Sequence, residues 1–512
     1  MTQGEIEKLT VKTENIFSEL EIRIMSDIVR RIKENGVSTA SADWQLTRLQ
    51  QLGMSQEQIR KWIQEALKAS DAEMDKIFSD KAYEEYYGHE RFYKFTDMQQ
   101  IPFEQNVVLQ RLIEATKEQL AGEYRNLTGS MGFAVRDPAT GKVKSVPLME
   151  YYRSTMDNAV LDIKSGAFDY NTVLKRTISQ MTASGIRYID YDSGRRERVN
   201  VAARRAVLTG FRQVQGKINE CVAADLGTDM YEVSYHVGAR PSHQPWQGRV
   251  YSMVQLHSIC GLGEVTGLKG ANCYHDYKPF PPGSVRTYTD EQLKQMVDAE
   301  NTPRTYNGKQ YTTYEALQEQ RKMERGMRAQ RQQIKLLQAG EADEKDIILA
   351  KARYQGQMQT YKDFSGKMKL PEQKARITQD GLRGSFMPTK KEQKILEESV
   401  INDKIKADMK AAGLRGEINL KPQIPDVSKL SFDDHHVNQE RQHDVTEAEA
   451  KNYIQNAVFS TTKWKGKFTN YYSDEGAAFV DNETQHIRTA FRKEQYYKAA
   501  MAAMEVLKHG RS

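Results

Sequence analysis

Apolar positions in the first seventy residues fall on helical rows. Ile16, Leu20, Ile24, Ile28 and Ile32 recur every fourth residue and predict a helix that Gly36 can end. Trp44, Leu46, Leu49 and Leu52 predict a second helix from about Asp43. Ser55 and Gln58 have capping-box spacing, so a third helix with Ile59, Trp62, Ile63 and Leu67 is expected to start there. These rows are read as helices packed on one another. The aromatic-dense stretch FSDKAYEEYYGHERFYKFTD is core or a surface that docks a partner, and core or a contact between domains is the favoured reading. A helix is expected over 107–120. A turn or hairpin is expected at PATGKVKSVPLMEYYR, with a helix after it. Residues 145–225 are mostly helical in this reading and end in a helix from Val199 to Asp225.

The pattern changes at Asp229. MYEVSYHV alternates and predicts a strand, and then Gly and Pro dominate to Gly283. Such a segment is irregular and needs more than a large apolar core to hold it. From about 311 to 410 the chain is helical and charged. Two long helices are expected there, broken near AGEAD and folded back as an antiparallel hairpin. INLKPQIPDVSKL, with two prolines and little periodicity, reads as a linker. Residues 430–512 read as a helix, a hairpin over KFTNYYSDEGAAFVD, and a last helix from about Arg492 to Lys508. No internal repeat is evident. The expected class is α+β and multidomain, with mostly helical N-terminal and middle regions. A compact irregular His/Cys loop region and a small C-terminal helix-plus-antiparallel-sheet domain complete it. The expected domains are 1–144, helical; 145–290, a core with a basic helix and the His/Cys loops; 291–424, a charged hairpin and linker; and 425–512.

Composition adds limits. Lys and Arg number 75 against 69 Asp and Glu, a formal charge of +6 that permits polyanion contact without arguing for it. Local charge is stronger: Arg195, Arg196, Arg198, Arg204, Arg205 and Arg212 in one segment, and Arg321, Lys322, Arg325, Arg328, Arg331 and Lys335 in another. The second row is a solvated helix face or a surface for nucleic acid. Three cysteines exclude a disulfide framework. The N-terminus lacks an apolar signal segment and no run reaches membrane-spanning length, so synthesis and folding in a cytoplasm are expected.

Two clusters carry candidate chemistry. His236, His243, Cys273 and His275 supply the imidazole and thiolate donors that hold zinc, with His257 and Cys260 nearby. Their spacing is not that of a zinc finger. Either a structural metal ties the loops together, or the histidines and Trp246 pack and hydrogen-bond locally. Gly238 and Gly248 suit tight turns, Trp246 suits the plug of a small core, and Arg240 either pairs locally or meets a phosphate. No Ser/His/Asp pattern or HExxH helix supports hydrolysis here. The second cluster is C-terminal: His435, His436, Arg441 and His443, then His486, Arg488 and Thr489. RNA cleavage by internal attack needs a base, an acid and cations around the phosphate, and no metal. Histidine and arginine supply these groups, so the cluster reads either as a small metal-independent ribonuclease site or as the surface of a helix-plus-sheet accessory domain.

EVSYHVGARPSHQPWQGRVYS followed by GLKGANCYHDYKPFPPG resembles the phage minor capsid protein 2 family. LEIRIMSDIVRRIKENG, SADWQLTRLQQLGMSQEQI and the Arg-rich helix extend the likeness over roughly residues 10–375. The layout is similar to that of the broader head-morphogenesis proteins, many of which have more cysteine in this region. The resemblance implies a minor head component in the virion, at the portal or inner capsid. Its partners would be portal or major capsid protein, with sequence-independent contact to packaged double-stranded DNA. The segments FDDHHVNQERQHDVTEAEA, WKGKFTNYYSDEGAAFVD and IRTAF resemble phage-associated nuclease-like domains grouped with the barnase, EndoU and RelE-type fold. That likeness implies RNA as substrate, no cofactor, and in toxin relatives an immunity partner. By position, it makes His436 the base and His443 a second base candidate, and it sets Arg441 on the phosphate. Arg488 and Thr489 complete the phosphate pocket, with Tyr472 in support. Tyr471 and Trp464 are candidates for stacking a base, and His435 faces the other way.

Overall fold

The computed structural model describes residues 3–37, 43–137, 140–189 and 196–511, with side chains except at positions 3, 35–37, 43–51, 164, 189 and 511. Arg195 lies outside the described residues. The chain forms two compact units, 1–388 and 389–512.

In the first unit the Val11–Val37 helix is central. Ile24, Met25, Ile28, Val29 and Ile32 are fully buried. Each such side chain contributes roughly 1.5–3 kcal/mol by leaving water. The helix packs against the Asp43–Lys76, Leu148–Lys164, Val199–Asp225 and Thr313–Ala339 helices. With neighbours on most sides, it buries several polar residues too. Glu21 Oε1 accepts from the Ile186 amide at 2.6 Å and Oε2 from Gln332 at 3.0 Å, fastening the helix to a strand and to a second helix. The Tyr152 hydroxyl donates to Asp27 at 2.7 Å.

Asp43–Lys76 is one helix of 34 residues, which corrects the expected break at Ser55. Ser55 is buried, and its hydroxyl lies 2.8 Å from Tyr152 and accepts from Arg31 at 3.3 Å. The serine serves a polar cluster between helices and caps none. The hairpin after 129 forms from strands Met131–Arg136 and Val143–Pro147. It joins Ile186–Ile189 and Arg196–Arg198 in a four-stranded antiparallel sheet. The last two strands interrupt the region read as mostly helical. The Val199–Asp225 helix has the expected bounds. The charged hairpin forms from Thr313–Ala339 and Glu344–Met368.

The second unit carries a six-stranded sheet in the order Glu417–Asn419, Phe459–Lys463, Phe468–Tyr472, Gly476–Asp481, His486–Arg492, Ser431–Phe432. All pairs are antiparallel but the last, which is parallel. One face packs on Ile405, Met409, Met504 and Leu507 of helices Lys390–Ala411 and Lys498–Arg511. The other packs on Ala450, Tyr453 and Ile454 of Glu447–Gln455. The segment read as a linker thus supplies an edge strand with Ile418 and Leu420 buried. The last helix starts at Lys498, because Arg492 still belongs to a strand.

Candidate functional site

The His/Cys loops sit on a three-stranded sheet, Met230–Val233 between Val250–Ser252 and Tyr277–Pro279. The Val199–Asp225 helix holds the second loop. Asn219 donates to the Tyr277 carbonyl at 2.6 Å, and Lys269 and Asp276 form a buried ion pair at 2.8 Å. Glu300 holds the first loop, accepting from the Gly238 amide at 2.7 Å and the Tyr235 hydroxyl at 2.6 Å. Gly238 has φ +73°, a turn that favours glycine, and a Cβ there would lie 2.1 Å from the tip of Leu317, which would have to shift. Trp246 is buried in a small core with Tyr231, Leu256, Leu268 and Tyr277. Arg240 pairs locally, donating to the Ala271 carbonyl at 2.6 Å.

This frame brings His243, Cys273 and His275 together, all buried, with their donor atoms within 4.8 Å of one another. The two Nδ1 atoms are 3.4 Å apart, and Cys273 Sγ lies 3.7 Å from that of His243 and 3.4 Å from that of His275. Zinc bonds of about 2.0–2.1 Å to nitrogen and about 2.3 Å to sulfur, at tetrahedral angles, set donor separations of about 3.4 and 3.6 Å.

The hydrogen bonds fix the tautomers. His243 Nε2 is 2.8 Å from the Thr266 carbonyl, which only accepts, so Nε2 carries the proton. His275 Nε2 is 2.9 Å from Gln247 Oε1. The same oxygen accepts from the His236 amide at 3.0 Å, which fixes the orientation of the Gln247 side chain and makes His275 Nε2 a donor as well. Burial holds both rings neutral: it lowers the pKa of His243, and with His236 and His243 alongside it takes His275 down to about 2. Both Nδ1 atoms therefore present bare lone pairs. Burial also raises the Cys273 pKa, so the thiol keeps its proton and can serve only one of the two nitrogens. A bound cation would satisfy both nitrogens and, once the thiol gives up its proton, the sulfur as well. The Thr266 and Gln247 contacts are of the kind that orient metal-ligating histidines.

The other candidates do not join the triad. His236, expected as the fourth donor, has Nε2 3.1 Å from the Ser234 hydroxyl and meets the His275 ring edge-on, with 4.9 Å between centroids. His257 bonds the Leu262 carbonyl at 2.7 Å. Cys260 is a core thiol, pushed up to about 12 by burial.

In the C-terminal unit, His436 lies in the short His435–Glu440 helix. Its Nδ1 is 2.6 Å from Glu440 and its Nε2 accepts from Arg441 Nε at 3.1 Å. The carboxylate orients the ring and leaves the Nε2 lone pair on the far side. His443 lies apart from this pair, 3.2 Å from Gln495 and against the Phe491 ring. Thr489 is buried with its hydroxyl unbonded. The register slip at Phe479 and Val480 leaves Arg488 unpaired, and its guanidinium lies 4.3 Å over the Phe468 ring. By strand alternation Thr489, Phe479 and Tyr472 share a sheet face. Tyr472 is fully buried, stacked on Phe459, with its hydroxyl 2.7 Å from that of Tyr497. Tyr471 is buried as well and donates to the Gln423 carbonyl, while Trp464 is exposed. Glu440 escaped the sequence reading, although its i, i+4 spacing from His436 marks it.

A largely helical body around a small loop knot with a buried His/Cys/His triad is the class these features define. The family model described as Phage minor capsid protein 2 matches residues 1–365, and the chain belongs to that family. No curated protein and no solved structure matches the chain. Among the described residues no helix is long and apolar enough to cross a membrane.

Proposed function

We propose that this chain is a minor component of a tailed-phage head, seated at the portal vertex or inner capsid beside portal or major capsid protein, and that its loop knot is tied by one structural zinc. The zinc would be held by His243, Cys273 and His275. The observation that carries the metal reading is the convergence of two proton-free Nδ1 atoms and one thiol at zinc-like separations. Family membership supports the placement. Metal binding would link two long-separated loops and contribute folding energy directly. Mass spectrometry of purified heads should find the chain at a fixed ratio to portal protein; heads without it overturn the placement. Metal analysis of the purified chain should give about one zinc, lost in Cys273→Ala together with a lower Tm. A metal-free wild type with the same Tm overturns the metal centre. The contact with packaged double-stranded DNA is part of the same proposal, and its sign is retention on DNA that weakens steeply with salt.

A second reading is a metal-independent ribonuclease in the C-terminal unit. The hydrogen-bonded run Glu440, His436, Arg441 favours it. With RNA present, Arg441 would turn from His436 to the scissile phosphate. The freed Nε2 would take the 2′-hydroxyl proton while Glu440 stabilises the resulting imidazolium. His443 would return a proton to the leaving oxygen, and Arg488 would offset the phosphate charge. Cleavage of RNA in excess chelator, about 10²-fold slower in His436→Ala, is expected. A folded wild-type chain that leaves RNA intact overturns it, and growth inhibition relieved by a neighbouring gene product would reveal an immunity protein.

A further inference from the structure

The triad forms part of the lining of a cavity of about 570 Å³ in the first unit, a volume typical of small-molecule sites. Besides Arg240 of the first loop, arginines from three separate stretches of chain line the same cavity. Arg204 comes from the Val199–Asp225 helix, Arg321, Arg325 and Arg328 come from successive turns of Thr313–Ala339, and Arg376 comes from the short Lys374–Ile377 helix.

Two of these are spoken for. Arg376 pairs with Glu7, one contact being 3.2 Å, and lies 3.9 Å from Glu324. Arg204 lies 3.7 Å from Glu14 and donates to the Tyr274 hydroxyl at 3.2 Å. The remainder are matched only at longer range, with Glu324 acting on Arg321 and Arg328 and Glu14 acting on Arg328. Among the described residues no carboxylate pairs with Arg321, Arg325 or Arg328. Arg321 rests over the Tyr274 ring at 5.8 Å, and Arg328 donates to the Arg376 carbonyl. Arg376 Nη1, the atom 3.9 Å from Glu324, is buried with no hydrogen-bond acceptor among the described residues. The cavity therefore gathers cations faster than anions: besides these arginines and Arg240, its lining has only Glu7, Glu14 and Glu324 as acids.

Guanidinium groups that line one cavity repel one another unless an anion enters, most where burial weakens solvent screening, as at Arg328. Their planar forks match a phosphate, which takes two parallel N–H bonds from each. A helix that presents arginines at three- and four-residue steps places them along one face. That spacing suits a ligand with its charge spread over several oxygens. The volume admits one nucleotide-sized group and excludes a duplex.

We propose that this cavity is a binding site for a phosphate ester of about mononucleotide size, held by Arg321, Arg325 and Arg328 with Arg376 Nη1 as a further donor. The site stands on the arginines and is independent of the zinc reading. It also revises part of the basic row of this helix: Arg321, Arg325 and Arg328 line a cavity, whereas Lys322 and Lys335 stay on the outer surface and Arg331 is buried against Asp380.

The test is calorimetric titration of the full chain with three probes: inorganic phosphate, a deoxynucleoside 5′-monophosphate, and a short single-stranded oligonucleotide with or without a 5′-phosphate. Saturable binding is expected, weakened at least tenfold in Arg321→Ala/Arg325→Ala. Neither side chain has an ion-pair partner, so the variant should keep the wild-type Tm; Arg321→Lys should retain part of the affinity. Equal binding of phosphate and nucleotide assigns a bare phosphate site, tighter nucleotide binding assigns a nucleoside monophosphate, and dependence on the 5′-phosphate of the oligonucleotide assigns a strand end. No saturable binding of any probe at millimolar concentration, or unchanged binding in the double variant, overturns the proposal. Metal content measured on the same samples separates the two readings. Zinc without anion binding sinks only this site, and anion binding without zinc sinks only the metal centre.

Discussion

His89 is a neutral histidine in a place that charge cannot reach cheaply. It is 2% exposed and stacked on Phe92, and among the described residues neither ring nitrogen has a hydrogen-bond partner of good geometry, with Asn219 lying alongside. Burial lowers its pKa to about 4, against about 6.5 in an unfolded chain. The unfolded state therefore binds a proton that the folded state refuses. Its contribution to stability is intact above about pH 6.5 and falls by roughly 1.4 kcal/mol per pH unit towards pH 4. Urea unfolding at pH 7, 6 and 5 should show a shallower acid loss in His89→Phe than in the wild type. Equal slopes would mean the ring is already protonated or exposed. At the same scale, the donors His243, Cys273 and His275 are legible as residue types, because few other side chains hold zinc. Which of the four expected donors converge is not legible, because spacing along the chain says nothing of where loops cross. Thr266 contributes only its backbone carbonyl, and Gln247 an ordinary amide, so neither leaves a mark in the sequence.

Among the elements, the Thr313–Ala339 helix shows how a charge row misleads. Its N-terminus is plain: Thr312 and Glu315 form a capping box. Arg331, one of the basic row, is nonetheless buried, donating to both Asp380 oxygens at 2.7 and 3.0 Å with Phe386 4.0 Å beneath it. Asp380→Ala would strand that guanidinium and should cost about 3–5 kcal/mol. Replacing both partners with apolar residues should cost much less, which denaturant melts can measure. The helices were legible because their apolar rows repeat within one element. The Ile186–Ile189 and Arg196–Arg198 strands were not, being short and held by partners elsewhere in the chain. The Arg304–Tyr306 and Lys309–Tyr311 hairpin was missed although Asn307 and Gly308, both at positive φ, are its recognised turn signal.

At the scale of the whole molecule, each unit has its own apolar core. Residues 389–512 should fold alone and melt in one cooperative transition, whereas a fragment starting at 425 loses Ile405, Met409, Ile418 and Leu420 from one sheet face. That shorter fragment should be less stable or molten, which circular dichroism and dye binding would show. A shorter fragment as stable as 389–512 would mean the extra helix and strand add nothing.

The sequence alone determined the long helices, the change to irregular loops at Asp229 and the donor types in them, since each follows from periodicity or composition within a short window. It determined the family resemblance through the motifs of those same loops. Tertiary structure decided that Ser55 is a buried contact and no cap, that His236 stays outside the triad, that a proline-bearing stretch becomes a sheet edge, and that arginines of separate segments line one cavity. These depend on which distant surfaces meet, and burial, which comes only from that meeting, sets whether a histidine is bare, a charge is paired or a turn is strained.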